Sequence, residues 1–140
     1  MRISRFLTAA GLALAIAITM SVSSLAQAKT DEDYDKLMKA VGAANGAVRG
    51  AAKEQNVAGI AAEATKLVAL FKEAEGFWKS RNNTEAAEWS ATAAKQADAL
   101  SKGTDAPAIM GAMKELGGSC QSCHAKYRDK DENGFIIKKG

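Results

Sequence analysis

One stretch organises this chain: Cys120-Gln121-Ser122-Cys123-His124, close to its C-terminal end. It continues an apolar stripe at helical spacing that begins near Ile109, so it is predicted to form the last two turns of a helix. On such a helix Cys120 and His124 lie one turn apart on one face, with Cys123 beside them. One rigid element therefore presents two thiols and an imidazole to the same space.

The C-x-x-C-H spacing of this stretch is the covalent attachment motif of a c-type haem. Two thiols add across the two vinyl groups of one porphyrin, and the adjacent imidazole reaches the iron from the same side. Cys120 and Cys123 are therefore predicted to attach one haem c per chain. His124 is predicted to be the proximal ligand of the haem iron.

Three other uses of the motif fit the chain less well. A structural disulfide between two residues three apart on one helix rarely meets bridging geometry. A zinc site needs about four ligands, whereas the chain contains two Cys and one His in total. A thioredoxin-type pair normally lies at a strand-to-helix junction, and no strand pattern precedes the motif. A haem-free helical bundle that exchanges thiols with disulfides is nevertheless the alternative from another functional class.

The first 28 residues have the pattern of a secretory signal peptide. Arg2 and Arg5 give a positive start, an apolar run covers residues 12–20, and an A-x-A cleavage site covers residues 26–28. The apolar run is short for a membrane span. We therefore expect a mature chain of residues 29–140 in the periplasm, with no membrane contact after cleavage.

The charge of the mature chain argues against nucleic acids and anionic membranes as partners. The whole chain has a net charge of +3, and removal of the two leader arginines leaves +1. This balance gives no support for nucleic-acid binding or for a polybasic membrane contact. The mature chain is rich in Ala and poor in large apolar residues, so a buried porphyrin would supply apolar volume that a small core lacks.

Four amphipathic segments without a strand pattern predict an all-α protein, an antiparallel four-helix bundle with haem c between the helices. The helices are expected over about residues 31–49, 56–75, 84–102 and 106–127, with Gly50, Gly76 and Gly103 near three of their ends. Residues 77–83 are then expected to form a loop. The bundle domain would span residues 29–128.

The charged tail, residues 129–140, has a turn signal at Asn133-Gly134. After this turn come Phe135, Ile136 and Ile137. These three apolar residues could dock on the bundle or form an exposed strand-like end, and the sequence leaves both alternatives open.

An exported four-helix pattern with C-x-x-C-H near its C-terminal end resembles the class II c-type cytochromes, the cytochrome c-prime family. The resemblance covers about residues 31–128, and it is closest at Lys36-Leu37-Met38-Lys39 and over residues 120–128. It implies a left-handed four-helix bundle, often a homodimer, with haem between the helices. It also implies an exchange of electrons with a redox protein, which the sequence does not identify, rather than enzymatic turnover.

The family has two branches, which differ in the second axial ligand. In the low-spin branch a Met from the first helix completes six-coordination and the protein is a one-electron carrier. In the prime branch the iron has only the proximal His and binds CO or NO. Met38 falls at the position of the Met ligand, which implies that Met38 is the distal ligand of the iron. By periodicity alone Met38 could be a core residue and Leu37 could face the iron, so the gas-binding function is the alternative.

Two further positions bear on the resemblance. Tyr34 stands where prime-branch members often have an Arg that pairs with a haem propionate, which leaves Lys36, Lys39 and Arg49 as candidate partners. Arg128 matches the family's Arg beside the proximal imidazole, where it would tune the hydrogen bond of the imidazole or the iron potential. The alternative for Arg128 is a helix-end cation that the helix dipole favours.

Overall fold

Four helices and a C-terminal β-hairpin form the described part of the chain, residues 28–138 of a computed structural model. The helices are α1 Asp31–Lys53, α2 Val57–Ser80, α3 Thr84–Ser101 and α4 Ala106–Tyr127, and the strands are β1 Arg128–Asp131 and β2 Gly134–Ile137. The prediction of an all-α four-helix bundle is confirmed.

The predicted signal peptide lies outside the described residues except for Ala28. This residue is buried, and its N–H donates a hydrogen bond to Oε1 of Glu73 at 3.0 Å. Within residues 28–138, no helix combines the length and the apolar character that crossing a membrane requires.

Side-chain caps fix where the helices begin. At the start of α1, Thr30 Oγ1 accepts a hydrogen bond from the N–H of Asp33, whose carboxylate accepts the N–H of Thr30, both at 3.1 Å. The side chains of Asn56, Asn83 and Asp105 cap the other three helices, each by accepting a hydrogen bond from the N–H three residues later. Each such cap typically contributes about 1 kcal/mol. The connections over residues 54–56, 81–83 and 102–105 are so short that consecutive helices must run antiparallel.

The main core lies where the four helices meet. Helix α1 packs on α2, α2 on α3 and α3 on α4, whereas α1 and α4 have no comparable interface. All four helices contribute buried apolar side chains to this core, which are Val41, Ala44, Val48, Ile60, Ala64, Leu67, Phe71, Ala93, Ala94, Ala97, Leu100, Ile109, Ala112 and Leu116. The bundle is thus closed on three sides and open between its first and last helices.

A second, aromatic cluster lies near the start of α1 and the end of α2. The ring of Tyr34 stacks on Phe77 with centroids 4.3 Å apart, and the Trp78 ring meets Phe77 edge-on at 5.2 Å. The indole N–H of Trp78 donates a hydrogen bond to the Tyr34 hydroxyl at 2.9 Å. Leu37 is buried in the same cluster.

Two helices continue past the glycines at which the sequence predicts their ends. Helix α1 passes through Gly50 to Lys53, and α2 passes through Gly76 to Ser80. The expected loop over residues 77–83 is therefore wrong for residues 77–80. A helical glycine costs about 1 kcal/mol relative to alanine, and burial of two large aromatic side chains in the last turn of α2 outweighs that cost.

The C-terminal tail forms an antiparallel hairpin directly after α4. Arg128 is paired with Ile137 and Lys130 with Phe135 in its register, with the turn at residues 132–133. Strand β2 contacts α1, and Ile137 packs against the aromatic cluster. Both alternatives for the tail hold in part, because β2 docks on the bundle while Phe135 and Ile136 stay exposed.

Candidate functional site

A pocket of about 530 Å³ lies between the start of α1, the end of α4 and the hairpin. Its volume falls within the range of protein cofactor pockets. Five parts of the chain line it: α1 with Asp31, Glu32, Tyr34, Asp35, Met38, Lys39, Val41, Gly42 and Asn45, α2 with Trp78, α4 with Cys123, His124 and Tyr127, β1 with Arg128, and β2 with Phe135, Ile136 and Ile137. The pocket therefore occupies the open side of the bundle.

Three of the four site residues predicted from the sequence meet in this pocket. Met38, on α1, and Cys123 and His124, on α4, all line it. The antiparallel arrangement explains this meeting, since the first turns of α1 lie at the same end of the bundle as the last turns of α4. Leu37, the alternative to Met38, is buried in the aromatic cluster with 5% exposure and does not line the pocket.

Cys120 lies apart from the other three site residues. Its half-buried side chain packs against the main core, and it is not part of the pocket lining. Both Cys120 and Cys123 are free thiols. Burial raises the pKa of both, that of Cys123 to about 11 with a further contribution from the neighbouring Cys120. This direction is opposite to the lowered thiol pKa of cysteines that perform disulfide exchange.

His124 is exposed at the pocket surface, and its imidazole stays largely neutral at pH 7. Partial desolvation lowers its pKa, and the positive charge of Arg128 lowers it further. The Arg128 Nη1 atom lies 3.4 Å from Nδ1 of the imidazole. A neutral imidazole is the form that binds a metal, so the site presents His124 in a ligating state.

The pocket has room for a flat ring close to α1. Gly42 lines it, and a Cβ atom added at Gly42 would meet nothing within 4 Å. Met38 supplies a thioether to the pocket and His124 an imidazole. These two groups form a known axial pair for haem iron. The free thiol of Cys123 adds an attachment point in the same pocket. The residues present therefore fit a covalently attached haem.

The competing uses of the motif find no support in the described part of the chain. The cysteines lie inside α4, rather than at a strand-to-helix junction. Among residues 28–138, no group of three or more His, Cys, Asp or Glu side chains is placed to hold a metal ion.

Of the cations named as propionate partners, Lys39 lines the pocket and pairs with Asp35 at 2.6 Å.

The sequence did not assign several residues to the site. Tyr127, one turn after the motif, lines the pocket, and its hydroxyl donates a hydrogen bond to Glu85 on α3 at 2.5 Å. Lys126 pairs with the same carboxylate. Trp78 lines the pocket from a helix, although the sequence predicts a loop there. The i, i+4 spacing of Cys123 and Tyr127 is the signal that places Tyr127 beside the motif.

Comparison with known proteins supports a c-type cytochrome. The chain is 37% identical over 73 residues to cytochrome c-554 of Cereibacter sphaeroides, a stretch that covers 52% of this chain and 50% of that protein. A second cytochrome c-554 from the same species is 55% identical over 29 residues, which is 21% of this chain and 19% of that protein. The matches thus span half or less of the relatives' length. No family model and no solved structure matches the chain.

These similarities agree with the motif and the pocket. Both relatives are named as cytochromes c, and the chain has the attachment motif at the edge of a pocket that the haem would fill. Together they support covalently bound haem c as the cofactor of this chain.

Proposed function

We propose that this chain is a monohaem one-electron carrier of the periplasm, of the low-spin branch of the class II c-type cytochromes. One observation supports it above the others: Met38, Cys123 and His124 line one pocket on the open side of a four-helix bundle. The signal-peptide pattern of residues 1–28 supports the location. The haem supplies the redox-active iron, and the chain positions, ligates and shields it.

Each site residue has a role in this proposal. Cys120 and Cys123 would attach the porphyrin through thioether bonds. The cofactor could then be lost only by breaking a covalent bond. His124 would ligate the iron as a neutral imidazole, and Met38 would ligate it from α1. A His/Met pair raises the reduction potential. With both residues bound, the iron would have no position open to gaseous ligands.

The two proposed ligands lie on different helices. Met38 is held between the main core and the aromatic cluster, because its side chain packs against both. His124 sits on α4, which packs on α3 and not on α1. The two proposed ligands thus belong to elements that are supported by different neighbours.

The substitution Met38→Ala tests the distal ligand. In holoprotein made with the haem-attachment machinery, we expect the wild type to give a low-spin spectrum that CO does not alter. Met38→Ala should give a high-spin spectrum that shifts with CO, because one axial position is then empty. Optical spectra of the reduced protein before and after CO provide the measurement.

Met113→Ala is the matched control for this experiment. Met113 is also half-buried and packs against the main core, but it does not line the pocket. Its removal should lower stability and leave the spectrum unchanged. A wild type that is itself high-spin and binds CO would identify a five-coordinate gas-binding protein instead. A purified chain whose intact mass includes no haem would leave thiol–disulfide exchange as the function.

A further inference from the structure

The C-terminal hairpin is fixed to the helix that presents the motif. Strand β1 begins at Arg128, directly after the last residue of α4 and four residues after His124. The N–H of Lys138, just beyond β2, donates a hydrogen bond to the carbonyl of Tyr127 at 2.9 Å. Both ends of the hairpin are therefore held at the end of α4, beside the imidazole.

Strand β2 presents apolar side chains to the pocket. Phe135, Ile136 and Ile137 all line the pocket that contains Cys123 and His124. Ile137 also packs against the aromatic cluster, which attaches the far end of the strand to the bundle. The apolar strand β2 thus borders the site, together with residues of α1, α2 and α4.

Two of these large apolar side chains, Phe135 and Ile136, are exposed to solvent. Phe135 is 57% exposed and Ile136 is 41% exposed, and they are adjacent. Exposure of apolar surface costs about 25 cal/mol per Å² relative to burial, and an exposed apolar edge strand also favours aggregation. The side chains of Phe135 and Ile136 point to opposite faces of the strand, but both residues line the pocket, so a group that fills it would cover part of each. The attachment motif in the same pocket identifies that group as the haem.

Phe135 also contacts the cation beside the proximal imidazole. Arg128 is paired with Ile137 in the register, so Phe135 is its diagonal neighbour on the same face of the hairpin. The guanidinium carbon of Arg128 lies 3.3 Å from the centroid of the Phe135 ring, which is a cation–π contact. The same guanidinium has Nη1 3.4 Å from the imidazole of His124.

We propose that the C-terminal hairpin is a third wall of the haem site, in which β2 shields the haem from water and Phe135 positions Arg128 beside His124. The proposal rests on the haem-binding function proposed above. The shielding by β2 and the position of Arg128 change the reduction potential in the same direction. A dry apolar wall disfavours the more charged ferric state, and a cation beside the imidazole weakens electron donation from the ligand to the iron. Both raise the reduction potential.

The test compares four full-length variants with the wild type, all as holoproteins, by redox titration. Phe135→Ala and Ile136→Ser should each lower the equilibrium constant for reduction, by about threefold for Phe135→Ala, which corresponds to roughly 30 mV at 59 mV per tenfold change for one electron. Phe135→Tyr keeps the ring and should restore the wild-type value. Val57→Ser, which alters an exposed apolar residue outside the pocket, should leave it unchanged.

Solvent access provides a second measurement on the same proteins. Phe135→Ala and Ile136→Ser should speed reduction of the haem by a small hydrophilic reductant, because the wall is opened, while Val57→Ser should not. Phe135 is 57% exposed and Ile136 is 41% exposed. Their substitution therefore removes little packing, and the variants should fold. Phe135→Ser, with the ring removed and a polar group added, gives a further variant with the same expected direction.

The outcomes separate this proposal from the function on which it rests. Wild-type protein with covalent haem and a low-spin spectrum supports the proposed function alone. If that protein keeps its potential and its reduction rate in both hairpin variants, the hairpin is not a wall and this inference is wrong. If the wild type attaches no haem, the proposed function fails first, and the intact mass shows it before any variant is made.

Discussion

A hydrogen bond between two large aromatic residues forms part of the pocket wall. The indole N–H of Trp78 donates to the hydroxyl of Tyr34 at 2.9 Å, and both side chains are buried and line the pocket. Burial raises the pKa of Tyr34 well above its usual range, and the bond from Trp78 acts in the opposite direction. The phenol of Tyr34 therefore stays protonated at neutral pH.

The substitution Tyr34→Phe tests the importance of this hydrogen bond. It leaves the indole N–H of Trp78 buried without an acceptor, which typically costs about 1–3 kcal/mol. We expect the free energy of unfolding of the holoprotein to fall by that amount, as measured by urea denaturation. Tyr127→Phe is the control, because the acceptor of that hydroxyl, Glu85, is exposed to water. A loss no larger than that of the control would contradict the prediction.

The individual site residues differ in how far the sequence predicts them. The two thiols and the imidazole can be identified from the sequence because they belong to one motif of five residues. The role of Met38 depends on which helix α4 faces, and it was indicated by the resemblance rather than by periodicity. The Trp78–Tyr34 bond joins residues 44 positions apart, so no local pattern indicates it. Assignment of ligand roles to Met38 and His124 remains a prediction.

At the scale of the element, glycines have opposite effects in the middle and at the start of a helix. Gly46 lies inside α1, and a Cβ atom there would meet nothing within 4 Å. Gly59 lies in the first turn of α2, where a Cβ atom would lie 2.8 Å from the side chain of Asn56. That side chain caps the helix by accepting the N–H of Gly59 at 2.9 Å. Added bulk at the second site therefore disturbs the cap.

Gly46→Ala should raise the free energy of unfolding by about 0.5–1 kcal/mol, because alanine loses less backbone entropy in a helix. The optical spectrum should not change, since Gly46 does not line the pocket. Gly59→Ala, the matched variant, should bring no gain or a loss because it displaces the cap. Urea denaturation of the two holoproteins measures both, and equal gains at both glycines would contradict this account.

The ends of the helices show where a sequence is sufficient and where it is not. The helix starts expected near residues 31, 56, 84 and 106 agree with the structure to within one residue, because a cap is a contact between residues three apart. The ends expected at Gly50 and Gly76 were wrong, because packing against distant residues decides them: Ala51 and Ala52 pack against the main core, and Phe77 and Trp78 are buried. For the tail the sequence indicated a turn and left docking or a strand-like end open, since two strands of four residues become stable through docking on α1 rather than through their own propensity.

At the scale of the molecule, one carboxylate joins α3 to the end of α4. Glu85 pairs with Lys126 and accepts a hydrogen bond from Tyr127. The bond from Lys126, followed by that from Tyr127, lowers the pKa of Glu85 below its ordinary value. A lowered pKa in the folded state means that the ionised carboxylate stabilises the fold above its ordinary pKa. That contribution is lost as the pH falls through the folded value.

Glu85→Gln should therefore have a pH-dependent effect on stability. The difference in free energy of unfolding between wild type and Glu85→Gln should be largest near neutral pH and should shrink as the pH falls below the ordinary value of 4.5. Urea denaturation over a pH series measures this difference, in which titration of all other groups cancels. Glu88→Gln controls for the loss of one negative charge from α3. A difference that stays constant down to low pH would contradict the prediction.

The class of the fold was predictable because it depends on the periodicity of whole segments. Four amphipathic segments with short connections permit few arrangements other than an antiparallel bundle. Which pair of helices stays apart is set by the sum of many packing contacts, and the sequence gives no direct sign of it. The position of the pocket between α1 and α4 therefore became visible only in the structure.

The open side of the bundle has a consequence for the biosynthesis of the protein. The α1–α2, α2–α3 and α3–α4 interfaces do not require contact between α1 and α4, and His124 is exposed while Cys123 is half-buried. If Met38 and His124 bind one iron, as proposed above, that bond would link the first helix to the last at the moment the haem is attached.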